Sequence, residues 1–219
     1  MKNVLYTLIA VFFLSCSGSV HHREAEYPDI LTPETIAFLL SEKPEELDAG
    51  LYLYRNKLTR PLVENFYIRV TADREIAGAI LKAADGNDIP LPLAFSLAWG
   101  ESSFRIRALN RNTNSVDRGL FQLNSRSFPN LAEEQFYNPW INAEYGLAHF
   151  RHCLDVGKNE LIALAMYNAG VNRVRRATPY STLNHVARIL NNQKKLIESF
   201  DQMLKDNVEI ALVLGSTPS

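Results

Sequence analysis

NRNTNSVDRGLFQLNSR, residues 110–126, is the stretch on which the reading of this chain turns. Its first half consists of Asn, Thr, Ser, Asp and Arg, rich in the side chains of tight turns. Gly119 then opens a short run in which Phe121 and Leu123 alternate with Gln122 and Asn124, the period of a half-buried strand. The pattern predicts a small hairpin over residues 107–124 in a chain with almost no other strand signal. Asp117 has two readings there. It is either a turn residue, binding nearby backbone amides or pairing with Arg118, or a carboxylate with chemistry to do.

The segment just upstream favours chemistry. LPLAFSLAWGESSF, residues 91–104, predicts a helix with Pro90 and Pro92 in its first turn and Asp88 as its cap. Leu93, Leu97 and Glu101 recur every four residues, so Glu101 continues an apolar helix face. A carboxylic acid on a desolvated face keeps its proton more readily than one in water and can serve as a general acid. Gly100 beside it leaves room for a close neighbour or a ligand. Asp117 follows Glu101 by 16 residues, across a helix-to-hairpin connection that can set two carboxyl groups on opposite sides of a cleft. Two carboxyl groups in unlike environments are what glycoside hydrolysis uses. Asn and Gln side chains offer donors and acceptors together, which suits sugar hydroxyls and N-acetyl groups.

Helical patterns fill most of the remaining chain. Residues 33–70 predict two or three short helices, and a further helix runs from Asp73 to Ala84, ended by Asp85, Gly86 and Asn87. Asn138-Pro139 breaks the chain before two helices, the second closed by Gly170, and a long helix spans Ser181 to Asp206. The tail from Asn207 is expected to fray.

The formal charge of −1 argues against bulk capture of nucleic acid. Arg173, Arg175 and Arg176 read as a solvated helix end. No phosphate-binding glycine loop or metal-ligand cluster appears, so neither metal nor cofactor is expected. Lys2, the apolar run from Val4 to Leu14 and Cys16 have the layout of an export signal. Phe13-Leu14-Ser15-Cys16 resembles a bacterial lipobox, with Leu14 one place closer to the cysteine than usual, which makes Cys16 the expected lipidation site. A plain secretory signal cut a few residues later is the alternative. Either way the chain is expected to be exported, and the lipobox reading anchors it to a bacterial envelope membrane facing the periplasm. Cys153, the other cysteine, reads as a small buried hydrophobe.

Four motifs resemble, in order, the bacterial lytic transglycosylases of the soluble-lytic-transglycosylase catalytic-domain family, within the lysozyme-like superfamily. ESSF at 101–104 matches the motif of the catalytic glutamate, and GLFQL at 119–123 matches GLMQ with Phe121 in place of methionine. MYNAG at 166–170 matches AYNAG, and TLNHV at 182–186 matches T-x-x-Y-V with His185 in place of tyrosine. The hairpin is also similar to that of chicken-type animal lysozymes, where Asp117 falls on the second catalytic aspartate.

The resemblance implies a mainly α, lysozyme-like α+β fold: a helical domain with a small β-hairpin lining a sugar cleft, plus an N-terminal helical layer. The expected organisation is a signal over 1–16, a tether over 17–27, the helical region over 28–72, the catalytic domain over 73–206 and a tail over 207–219. The implied activity is cleavage of the β-1,4 bond between N-acetylmuramic acid and N-acetylglucosamine in peptidoglycan, leaving 1,6-anhydromuramyl ends, with Glu101 as acid and then base. The alternatives are a hydrolytic muramidase using Glu101 and Asp117, and a peptidoglycan-binding module without turnover. Gln122, Phe121, Tyr167, Asn168 and His185 are the implied substrate-binding residues. Peptidoglycan glycan strands and the anchoring membrane are the expected partners of a monomer, with an envelope or secretion assembly as a candidate partner for residues 28–70.

Overall fold

The computed structural model describes residues 32–215. The signal, the tether and Cys16 lie outside the described residues. Most helices start where a short polar side chain precedes an apolar run. Thr32 caps α1 (Pro33–Ser41), and Asp48 caps α2 (Ala49–Arg55) by accepting from the Leu51 N–H at 2.8 Å. α3 (Arg60–Thr71) has Pro61 in its first turn and stops at Ala72, which is left-handed. Asp73 caps α4 (Arg74–Gly86) through the N–H groups of Glu75 and Ile76.

α5 (Leu91–Ser102) begins differently from the expectation. Asp88 does not cap it; its backbone is left-handed (φ 49°), and its carboxylate pairs with Arg55 at 2.9 Å. The helix opens at Leu91, three residues beyond Asp88, but the Asp88 carboxylate is engaged by Arg55 instead. Instead Asp48 Oδ1, which already caps α2, also accepts from the Leu91 N–H at 3.3 Å.

The hairpin region is a three-stranded antiparallel sheet in the order β1 (Leu109–Arg111), β2 (Val116–Arg118), β3 (Leu123–Asn124). Only the second half of the alternating run is strand. Gly119 to Gln122 forms a turn, with Gly119 and Gln122 both at positive φ (80° and 48°). A short 3-10 helix (Glu133–Tyr137) leads to α6 (Pro139–Gly157), capped by Asn138, and then to α7 (Glu160–Ala169), capped by Asn159. α8 (Val171–Arg176) is brief, and α9 (Tyr180–Gly215) continues well past the expected end at Asp206.

α5 is the hub. Every residue from Leu91 to Ala98 is buried, so the helix is apolar all round rather than along one stripe. It packs on α9, α4 and α2. α1 to α3 share its core: Tyr67 stacks on Phe95 with ring centroids 4.0 Å apart, and Phe66 meets Phe200 of α9 edge-on at 5.1 Å. Burying each such aromatic ring contributes about 1.5–3 kcal/mol, so α1 to α3 are bound to the hub by the strongest non-directional force available.

Candidate active site

Glu101 sits in the last turn of α5, where the buried helix emerges into an open cleft of ≈ 770 Å³. The chain then turns sharply, because Ser103 and Phe104 are both left-handed (φ 53° and 60°). Gly100 is required by the approach of α9: a Cβ there would lie 2.6 Å from Ile189 Cγ1. The close neighbour for which a glycine leaves room is therefore α9, and one turn before Ile189 that helix carries His185. His185 Nε2 lies 3.0 Å from Glu101 Oε1, with the two side chains only 15% and 11% exposed. Arg188, a turn further on, lies with Nη2 3.1 Å from the other ring nitrogen, Nδ1.

Across the cleft stands the sheet. Its register sets Asn110 opposite Asp117 on one side and Asn124 opposite it on the other. Asn110 and Asn112 donate to Asp117 Oδ2 at 3.1 and 2.8 Å, and Asn124 donates to Oδ1 at 2.6 Å. The amides of the hairpin thus converge on one carboxylate, in addition to lining the cleft. Neither feature of the turn reading of Asp117 is found. The donors are side-chain amides, not backbone N–H groups, and Arg118 turns away to Glu133 at 3.6 Å and to the face of Phe136.

The turn between β2 and β3 is held from behind by Asn142 of α6. This wholly buried amide accepts from the Phe121 N–H at 2.7 Å and donates to the carbonyls of Phe136 and Arg118 at 2.8 and 3.0 Å. Gly119 admits no side chain, since a Cβ would meet Phe136 O at 2.2 Å. Phe121 is not a cleft residue, contrary to expectation. Its ring is fully buried, lying where a Cβ on Gly146 would stand 2.5 Å from it, and only its backbone serves the site. Tyr167 donates its hydroxyl to Phe121 O at 2.7 Å rather than to Glu101. Burial, with a smaller push from the nearby Glu101 charge, holds the Tyr167 phenol well above its ordinary pKa, so it stays a proton donor.

Gln122 lines the cleft while its Nε2 donates to Gly119 O at 2.9 Å, which leaves Oε1 for a ligand. Asn168 also lines the cleft and accepts from the buried Thr182 hydroxyl at 2.8 Å, tying the end of α7 to α9. His149 belongs to the same wall, its ring against Tyr167 and Phe128. Burial, assisted by His152, lowers its pKa and keeps it neutral.

Asn142, Arg188, His149 and the triad of asparagines around Asp117 were not individually legible as site residues. The asparagine triad follows from the strand register, which the hairpin pattern only approximates. Asn142 and Arg188 carry no sequence signal at all, being single polar residues on helices whose neighbours come from elsewhere in the chain.

A partly buried glutamate at the end of a core helix, facing a small antiparallel sheet across an open cleft, defines the lysozyme-like class of glycan-cleaving folds. Residues 78–185, from α4 to His185, match the family model of the transglycosylase SLT domain, and this part of the chain belongs to the lysozyme-like lytic transglycosylase family. The substrate class is therefore peptidoglycan and the general activity that of a transglycosylase. No curated protein matches the chain.

Proposed function

We propose that this protein is a lytic transglycosylase that cleaves the β-1,4 bond between N-acetylmuramic acid and N-acetylglucosamine and leaves 1,6-anhydromuramyl ends. The observation that carries this reading is Glu101, the carboxyl group at the base of the cleft, hydrogen-bonded to His185 and shielded from water. Glu101 gives its proton to the leaving glycosidic oxygen as the bond to the anomeric carbon breaks. The muramyl N-acetyl oxygen supports that carbon. The resulting carboxylate then takes the proton of the C6 hydroxyl, whose oxygen closes on the anomeric carbon, and Glu101 is returned to its starting state. In this reading Gln122 Oε1 and Asn168, both lining the cleft, bind the glycan, and Tyr167 steadies the turn beneath it.

The test is Glu101→Gln with purified sacculi. The expected result is loss of soluble anhydromuramyl products with the fold retained; full activity in that variant would remove Glu101 from the mechanism.

A second reading has its own observation. Asp117 is held by three amide donors as a prepared carboxylate would be, which suits hydrolysis with Asp117 supporting the intermediate. Mass spectrometry separates the two: reducing-end muramic acid without anhydro product assigns the protein to hydrolysis. We further propose export and lipid anchoring through Cys16, on the strength of the lipobox-like segment. Metabolic labelling with palmitate tests it, since Cys16→Ser should abolish incorporation.

A further inference from the structure

We propose that Arg188 is a positioning residue that fixes the tautomer of His185 and so keeps a neutral N–H donor on Glu101. The proposal rests on the assignment of Glu101 as acid and base. A guanidinium has only donors, so Arg188 Nη2, 3.1 Å from His185 Nδ1, must donate to that nitrogen's lone pair. The single ring proton then sits on Nε2 and points at Glu101 Oε1, 3.0 Å away. A second ring proton would have to enter between Nδ1 and a positive charge. Arg188 has no carboxylate partner among the described residues, and its i, i+3 spacing from His185 on α9 sets it beside the ring.

The device answers a problem created by histidine at this position. A tyrosine hydroxyl, as in the T-x-x-Y-V motif, donates without choice of tautomer. An imidazole donates from the right atom only if its other nitrogen is occupied, and it can also take a second proton near neutral pH. An imidazolium facing Glu101 would hold the carboxylate as an ion pair and withhold the proton that the leaving oxygen needs. Among the other groups lining the cleft, Arg105 donates its Nε–H to Ser102 O, Asp117 is occupied by its amides, Tyr167 bonds Phe121 O and burial disfavours a charge on His149. None of them is hydrogen-bonded to the His185 ring, whose two nitrogens meet Glu101 on one side and Arg188 on the other. Arg188 is exposed, so its direct effect on Glu101 is screened by solvent and its influence runs through the hydrogen bond to Nδ1.

The experiment compares pH–rate profiles of the full chain, as wild type, Arg188→Met and Arg188→Lys, on purified sacculi, with 15N chemical shifts of the His185 ring. In Arg188→Met the Nδ1 lone pair loses its donor and is open to a proton, so the ratio of activity at pH 5.5 to that at pH 7.5 should fall severalfold. Arg188→Lys should restore the wild-type ratio, because an ammonium is also a donor only. In a His185→Tyr background, Arg188→Met should leave the profile unmoved. The wild-type ring should show a protonated Nε2 and a bare Nδ1 at neutral pH. A ring protonated on Nδ1, or an Arg188→Met profile superimposable on wild type while Glu101→Gln is inactive, overturns the proposal. Activity retained by Glu101→Gln overturns the acid–base assignment instead, and the 15N shifts still decide the tautomer.

Discussion

Asn142→Ala offers the sharpest test of how the cleft is built. Asn142 is wholly buried and makes three hydrogen bonds, accepting from the Phe121 N–H and donating to the Phe136 and Arg118 carbonyls. Truncation leaves three backbone groups without their partner. Each buried group left unpaired costs about 1–3 kcal/mol, and water entering the vacated space offsets part of that, so a loss of about 3–6 kcal/mol is expected. Set against a typical domain stability of about 5–15 kcal/mol, that is a large fraction. Urea unfolding followed by tryptophan fluorescence and circular dichroism reads it directly, as a lower midpoint at an unchanged slope. Asn142→Asp sharpens the test. The aspartate still accepts from Phe121 N–H but faces two carbonyl oxygens with oxygen in place of N–H. Its loss should equal or exceed that of alanine at neutral pH and shrink in acid, where a protonated carboxyl can donate to one of them. Activity should fall further than stability alone explains, because the turn that carries Gln122 and the Tyr167 anchor is held by this residue. A midpoint shift worth less than about 1 kcal/mol in Asn142→Ala, at equal slope, would refute the reasoning, since even one unpaired buried group should cost that much.

Two further outcomes follow from buried titratable groups. Burial raises the Asp48 carboxyl above its ordinary value of 3.8, against the favourable N–H groups of Leu51 and Leu91. A carboxyl whose folded pKa is raised loses stability as pH climbs from its unfolded to its folded value, so Asp48→Asn, which keeps the accepting oxygen, should gain on wild type across that window and hold the gain above it. Denaturant unfolding from pH 3 to 7 measures the difference, and a gain that shrank with rising pH would contradict it. Burial likewise pushes the Cys153 thiol up to about 11, and the residue is 0% exposed. About one thiol in a thousand would be ionised at pH 8, so with Cys16 replaced by serine a disulfide reagent should label the chain only on unfolding; rapid native labelling would show an open site.

Local signals carried much of this protein. Helix starts at Asp73 and Asn138, and stops at Asn87 and Gly170, are short-range events in which a side chain or a left-handed residue meets backbone a few positions away. The motifs around Glu101, Gln122, Asn168 and His185 were legible for the same reason, since each is a contiguous run. What folding decided is what those runs meet. The bond between His185 and Glu101 joins residues 84 apart in the chain, and no periodicity encodes it. Glu101 reads as part of an apolar stripe, yet α5 is buried on every side, and the glutamate reaches the cleft because the helix ends there. Phe121 reads as a cleft wall and is turned into the core, because Gly146 of α6 leaves room for its ring. Asn110, Asn112 and Asn124 read as sugar contacts and, besides lining the cleft, grip Asp117, because strand register puts two of them directly opposite it. Composition and spacing specify which side chains are available and on which element. Only the packing of α9 and α6 against α5 and the sheet determines which of them touch, because those contacts depend on distances between segments that the local chain does not control.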